Sequence, residues 1–260
     1  MFVRYLVSFL TMKKIVHIVF APFRFLYKIY FLLIFLLLAI PMYPVFYFLL
    51  RSDRYIHQAF KMKRIWAKII LFLTGVIVRK ENYELLPKAP YVICANHASY
   101  LDIVLMFVLI PETFLFLGKS ELLKWPIIRI FFRNMDIPVD RRNSIKARKS
   151  IELTKEAVQK GFSVAIFPEG LIPVEGIPKM ARFKKGAFVL AVSQQVPIVP
   201  VTFSTNWKLF ATESDVFGPG RPGIAKAIFH PPIETKGKSE SDIRDIMDKT
   251  FQVIESRIEY

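Results

Sequence analysis

The chain holds one cysteine, no Gly-x-Ser-x-Gly sequence, no glycine-rich loop ending in Lys-Ser or Lys-Thr, and no Cys/His cluster at metal-ligand spacing. Each absence excludes a class. Cys94 alone cannot form an internal disulfide, and a reducing cytoplasm suits it. Without the elbow that exposes a nucleophilic serine, a serine esterase is not expected. The turn-rich run Gly218-Pro219-Gly220-Arg221-Pro222-Gly223 lacks the ending a P-loop needs. No metal site is expected. Cys94 lies inside the apolar run Tyr91–Cys94 and reads as a buried, inert thiol, while His17, His57 and His230 have no partners at catalytic spacing.

Negative charge is also scarce. Against 37 Lys and Arg stand 21 Asp and Glu, a net charge of +16 over 260 residues. A basic surface suits nucleic acid, anionic lipid headgroups or an acidic partner. No helix-turn-helix, zinc-finger or RNA-recognition signature accompanies it, so no nucleic acid is expected and a membrane surface is the favoured partner.

Residues 29–50 carry no charge at all. At ~1.5 Å per helical residue they are long enough to cross a ~30 Å hydrocarbon core. A cleaved signal peptide would have a shorter apolar stretch and a small-residue cleavage site; this run starts behind Arg24 and Lys28 and ends in Phe-Leu-Leu-Arg51. It reads as an uncleaved anchor. Pro41 and Pro44 are expected to kink or break it. Basic residues flank both ends, which a re-entrant or monotopic hairpin broken at the prolines accommodates better than a single span. Both arrangements stay open.

Residues 52–80 form a basic, amphipathic connector with a second apolar segment from Ile65-Trp66 to Val78. From about residue 82 the pattern alternates between short β runs and helical stretches. Strands are expected at Tyr91–Cys94, Thr113–Leu117, Ile137–Val139, Phe162–Phe167 and Val196–Val201, with a helix from Ser144 to Lys160 ended by Gly161 and a terminal amphipathic helix from Ser239 to Ile258. That alternation predicts a layered α/β domain with a central, largely parallel or mixed sheet over 81–260, behind a membrane-associated segment over 1–80.

The chemistry concentrates at strand ends. Asn96-His97-Ala98-Ser99-Tyr100-Leu101-Asp102 sets a histidine and an aspartate five positions apart. On a continuous helix such residues point about 140° apart. With His97 in the turn before the helix and Asp102 in its first turns, the carboxylate reaches the ring, holds one ring proton and leaves the other nitrogen as a base. Asp140-Arg141-Arg142 follows a strand and offers guanidinium groups to a phosphate. Phe167-Pro168-Glu169-Gly170 closes another strand with a carboxylate and a permissive glycine.

In this order, over roughly residues 82–205, these motifs resemble the 1-acylglycerol-3-phosphate O-acyltransferases. The resemblance implies a glycerolipid-acyltransferase α/β domain with an N-terminal membrane-associating helical motif. It implies His97 as general base and Asp102 as its orienter, in transfer of an acyl group from acyl-CoA or acyl carrier protein to the free hydroxyl of lysophosphatidate. It also implies Lys119, Arg141, Glu169 and Gly170 at the substrate, no cofactor, and a membrane location with the catalytic domain on the cytoplasmic face.

Two departures stand out. The family's Glu-Gly-Thr-Arg-Ser is Glu169-Gly170-Leu171-Ile172-Pro173 here, and the glycine before Ile-Pro is replaced within Asn134-Met135-Asp136. The missing arginine is one commonly assigned to the acceptor phosphate. Either Lys179, Arg182, Lys184 and Lys185 stand in for it, or the acceptor is another lysolipid. A non-catalytic, membrane-tethered binding protein is the alternative of a different class.

Overall fold

The computed structural model describes residues 2–124, 129–131, 135–140, 143–173, 176–211 and 216–260, with side chains from Val19 onward except at 144 and 147. Helix α1 spans Phe2–Leu49 and α2 spans Ile56–Leu73. Pro22, Pro41 and Pro44 all lie within α1, yet the helix runs through them. Each removes one backbone donor, but the turns on either side keep the helical path. The chain reverses later, at Leu50–Tyr55 and not at the prolines where the hairpin alternative would put it; there the Ser52 side chain accepts a hydrogen bond from the Arg54 N–H ahead of a short 3-10 turn over Asp53–Tyr55.

The second helix returns antiparallel along the first. Tyr27 and Tyr30 donate their hydroxyls to the carbonyls of Thr74 and Leu73, at 2.8 and 2.7 Å. On α2 the buried positions are Ile56, Ala59, Phe60, Lys63, Trp66, Ala67, Ile70 and Leu71, a stripe at helical spacing. On α1, Phe31, Ala39 and Phe46 are buried, whereas Phe23, Leu37 and Phe48 on the other side are each about two-thirds exposed. Val19–Leu49 is long and apolar enough to cross a membrane.

The α2 helix belongs to the core of the molecule. Lys63, 2 % exposed, meets Asp136 at 2.9 Å, and Asp136 in turn accepts the Phe116 N–H. Arg64 donates to the carbonyls of Phe107 and Ile110. Phe107 lies in the last turn of α3, Leu101–Leu109, and Ile110 caps it, so Arg64 satisfies two of the acceptors at that end.

Seven strands make one sheet: β1 Val76–Glu81, β2 Val92–Ala95, β3 Phe114–Lys119, β4 Ile137–Val139, β5 Ser163–Ile166, β6 Ile198–Phe203 and β7 Gly223–Phe229. Their spatial order is β1-β7-β6-β2-β5-β3-β4, parallel throughout except for the antiparallel β6/β7 pair. The remaining described helices are α4 Ser144–Gln159, α5 Gly186–Gln194, α6 Asn206–Leu209 and α7 Ile243–Glu255. The mixed α/β sheet read from the sequence is therefore present. Gly161 takes a left-handed φ of +89° just past α4, as its expected capping role requires.

Alternation along the strands builds two cores. Ile93, Ala95, Val199 and Val201 face α1, α2 and α3, while Val92, Cys94, Val164 and Ile198 face α5 and α7. Sandwiched between helices on both faces, the central strands are apolar at every position, which is why they read as continuous runs. Strands β1 and β7, at one side, escaped the sequence reading. Val76–Val78 looked like the tail of the α2 apolar segment, but it pairs in register with Gly223–Ala225. The sheet therefore takes in residues up to the boundary read near residue 80.

Candidate active site

The carboxyl ends of β2, β5 and β6 lie side by side, and each delivers a residue to one place. A crevice beyond the carboxyl ends of parallel strands, where connections diverge, is the usual ligand position in such sheets. From β2, Asn96 uses its side-chain amide to pair with the Phe203 backbone at the end of β6, accepting at 2.7 Å and donating at 3.1 Å. This ties the strand ends together, and the chain then turns through His97 into α3.

Asp102, the second residue of α3, is fully buried. Its Oδ2 accepts from His97 Nδ1 at 3.0 Å and from the backbone N–H groups of Ala98 and Ser99 at 2.9 Å each. Its Oδ1 accepts from the Asn206 amide at 2.7 Å. The local geometry is the one expected from the spacing: imidazole in the turn, carboxylate in the first helical turn. With Nδ1 donating to Asp102, Nε2 carries the lone pair. Ser99 supports the turn by donating its hydroxyl to the Phe210 carbonyl at 2.7 Å and accepting the Leu101 N–H.

Phe167 and Glu169 come from the end of β5. The Phe167 ring stacks on His97 with centroids 4.0 Å apart and planes 12° apart. Glu169, 2 % exposed, accepts the His97 backbone N–H at Oε1 and the Ala181 N–H at Oε2, at 2.8 and 2.7 Å. Burial pushes its carboxyl up to about 7, against the opposing pull of those two N–H donors. Both oxygens are thus engaged with backbone, and the side chain clamps the His97 turn to the loop ahead of α5. Gly170 has φ +79°, a left-handed conformation that the turn back to Phe167 requires and glycine adopts without strain.

The basic candidates among the described residues are spread along the same edge. Lys119 ends β3, two strands from β2, so roughly 10 Å away across the sheet; it is exposed and lies 3.5 Å from Glu121. Arg141 falls outside the described residues, just beyond β4 and Asp140. Lys179, Arg182, Lys184 and Lys185 are exposed on the loop that the Glu169–Ala181 bond and the Lys184 N–H to Pro168 carbonyl bond lay along the β5 turn. Cys94 is wholly buried, which pushes its thiol up and keeps it a packing residue.

Two contributors escaped the sequence reading. Phe167 was read only as part of a turn motif, and Asn206 was not noticed. The one available signal for Asn206 was a polar run, Ser204-Thr205-Asn206, directly after an apolar strand. Its amide Oδ1 is buried with no hydrogen-bond partner among the described residues, so only the donor end of this side chain is used.

Residues 77–204 match the family model described as Acyltransferase. The chain is 31% identical over 193 residues to the chloroplastic 1-acyl-sn-glycerol-3-phosphate acyltransferase BAT2 of Brassica napus, covering 72% of this chain and 54% of that protein. It is 35% identical over 159 residues to the putative 1-acyl-sn-glycerol-3-phosphate acyltransferase acl-1 of Caenorhabditis elegans, covering 60% of this chain and 59% of that one. The chain thus spans little more than half the length of these relatives. In fold it is similar to the crystal structure of the 1-acyl-sn-glycerophosphate acyltransferase PlsC from Thermotoga maritima, with a TM-score of 0.65 at 24% identity, covering 90% of this chain and 100% of that one.

Proposed function

We propose, from residues 77–204 belonging to the Acyltransferase family, that this protein transfers an acyl group from a thioester to the free hydroxyl of 1-acylglycerol-3-phosphate, giving phosphatidate. The observation that carries this reading is the His97–Asp102 pair, 3.0 Å apart, with the carboxylate saturated by backbone and amide donors. A fully engaged carboxylate cannot rotate away, so the imidazole is held in one tautomer with Nε2 as the base.

The reaction then proceeds as follows. Nε2 of His97 takes the proton of the acceptor hydroxyl as its oxygen attacks the thioester carbonyl. The tetrahedral intermediate collapses with cleavage of the C–S bond. His97 returns the proton to the leaving thiolate, releasing ester and free thiol. The Phe167 ring under His97 blocks one face of the imidazole and restricts its tilt. Asn206 and Glu169 act as positioning residues, one through Asp102 and the other through the His97 backbone.

The acceptor phosphate is assigned to Lys119 at the end of β3, to the cations of residues 179–185 on the loop laid along the β5 turn, and to Arg141, which follows β4 in sequence. The donor is acyl-CoA or acyl carrier protein. A different acceptor is the second reading, favoured by Leu171, half-exposed where the family has threonine ahead of arginine.

Attachment at a membrane surface follows from α1. It touches the globular part at Phe25 (against Phe217), Phe31 (against Phe210) and Phe46 (against Phe131). Those contacts extend over roughly 30 Å of helix, a full hydrocarbon thickness. A perpendicular span would drag the domain through the bilayer, so α1 is assigned to lie in the cytoplasmic leaflet with its outer face in lipid.

The test is thiol release from long-chain acyl-CoA by detergent-solubilised protein, with lysophosphatidate, uncharged and zwitterionic lysolipids in parallel. Turnover on lysophosphatidate supports the reading; turnover only on another lysolipid reassigns the acceptor. No release with any acceptor, from acyl-CoA or acyl carrier protein, rejects the enzyme.

A further inference from the structure

Helix α1 lies against a bridged pair of residues. Phe210 and Gly220 face each other across an isolated β-bridge. Backbone hydrogen bonds from Ala211 to Pro219 at 2.7 Å and from Arg221 to Leu209 at 2.9 Å hold the two segments together. On α1, Arg24 and Phe31 stand seven residues apart and so share a face. The Arg24 backbone passes so close to Gly220 that a Cβ there would stand 2.6 Å from the Arg24 carbonyl oxygen, an approach only glycine permits. The buried Phe31 ring meets the Phe210 ring with centroids 4.6 Å apart. Tyr27 and Tyr30, between them in sequence, fix the helix lengthwise through their bonds to the Thr74 and Leu73 carbonyls.

On its other side Phe210 meets the His97 turn. Its carbonyl accepts the hydroxyl of the fully buried Ser99 at 2.7 Å, and its N–H donates to the Asn206 carbonyl at 3.0 Å, which closes α6. Ser99 and Asn206 both hold Asp102, one through its backbone N–H and the other through its amide. The segment from Asn206 to Phe210 is thus packed between α1 and the carboxylate that orients His97. A helix of one turn has almost no stability of its own, so its position comes from what it packs against. Leu209 seats it beside Gly223 at the start of β7, and Phe210 seats it on α1.

We infer that Phe31 is a positioning residue for acyl transfer: through Phe210 it holds the Asn206–Phe210 segment against the His97 turn. Helix α1 is then part of the scaffold of the base as well as the element assigned to lipid. The inference rests on the acyltransferase reading.

The test uses the full chain in detergent micelles and has two readouts. The first is kcat and KM. Phe31→Ala should lower kcat by about 3- to 10-fold, the worth of one aromatic pair, with KM within about twofold of wild type. Phe31→Leu should fall between the two, and keeps the test readable if the alanine variant misfolds. Phe210→Ala should cost about as much, and the double variant no more than either alone, since each removes the same contact. Phe46→Ala takes an equally buried aromatic from the same helix, where it packs on Phe131 and Trp66, and should leave kcat unchanged.

The second readout needs no turnover. The chain has four histidines, so nitrogen NMR of isotopically labelled histidine, with His97→Ala for assignment, isolates the His97 ring. At alkaline pH the wild-type ring should be one tautomer, protonated at Nδ1, and the Phe31 variants should move it toward the shifts of a mixed population. Absence of acyl transfer in wild type would reject the acyltransferase reading, and the histidine spectrum would still decide whether Phe31 positions the ring. An unchanged kcat or an unchanged His97 spectrum in a folded Phe31 variant overturns the inference. So do additive losses in Phe31→Ala/Phe210→Ala, or an equal loss in Phe46→Ala, which would make the effect one of helix docking in general.

Discussion

The amide of Asn206 donates to the carboxylate of Asp102 at 2.7 Å, across a sequence separation of 104 residues and with both side chains fully buried. Four donors converge on that one carboxylate, and Asn206 alone among them comes from outside the His97 turn. Position 206 therefore decides whether Asp102 is held from one side or from both.

Asn206→Ala should lower kcat by about 10- to 100-fold with KM little changed, the range for one hydrogen bond to a charged group. The decisive measurement is a double-mutant cycle. If Asn206 acts through Asp102, the substitution costs little further in an Asp102→Ala background; a purely structural role would give additive losses.

His97→Ala should reduce acyl transfer by ~10²–10⁴-fold, the usual worth of a general base. Asp102→Asn is the sharper probe. An amide removes the charge that stabilises the imidazolium, and its NH₂ meets donors either way it turns, the Ala98 and Ser99 N–H groups on one side or the Asn206 amide on the other. Activity should fall while the circular dichroism spectrum and acceptor KM stay near wild type. Retention of full kcat in this variant would remove the orienting and charge-stabilising role from Asp102.

Glu169 sets a pH dependence of stability. Its folded value of about 7 lies above the ordinary carboxylate value of 4.5. Below 4.5 both folded and unfolded chains hold the proton, and Glu169 contributes no difference. Between 4.5 and 7 the unfolded chain has released it and the folded chain has not, so stability falls as pH rises. Above 7 the full cost, on the order of a few kcal/mol, is present. Glu169→Gln removes this titration, though its NH₂ faces one of two N–H donors and loses that bond. Melting temperatures from pH 5 to pH 8 should therefore fall less steeply in the variant than in wild type. Parallel curves would show that Glu169 keeps an ordinary value in the folded protein.

The buried Lys63–Asp136 pair joins α2 to the β3/β4 side of the sheet. Burial alone pushes the lysine down, and Asp136 opposes that shift. Lys63→Met leaves Asp136 buried and unpaired and should cost about 3–5 kcal/mol, seen as a lowered denaturation midpoint. Lys63→Met with Asp136→Leu should recover most of the loss, since the unpaired charge is gone. Asp136 also accepts the Phe116 N–H, so a residual deficit is expected from that orphaned donor.

How far the sequence reached follows from how local each feature is. His97 and Asp102 lie within one strand-turn-helix unit, and a five-residue spacing with a helix start between them constrains their meeting. The central strands were equally legible, because burial on both faces makes them continuous apolar runs. The edge partners β1 and β7 were not, since half-exposed strands carry a weaker pattern. The break expected in α1 at Pro41 and Pro44 did not occur, for a related reason. Proline predicts a break from local sterics, whereas the path of the helix was settled by packing of Phe35 and Phe46 against Trp66 on α2.

By itself, then, the chain's order of residues determined an apolar N-terminal helix, an α/β sheet and an imidazole beside a carboxylate, all consequences of contacts within a few residues. Tertiary structure decided the rest. It turned Glu169 onto the backbone of His97, laid Phe167 under the imidazole and brought Asn206 to Asp102. Those juxtapositions arise where strands far apart in sequence end at one edge of a sheet, and where one helix lies along a domain. No periodicity records them, because side-chain spacing reports which face is buried and not which distant residue is buried against it.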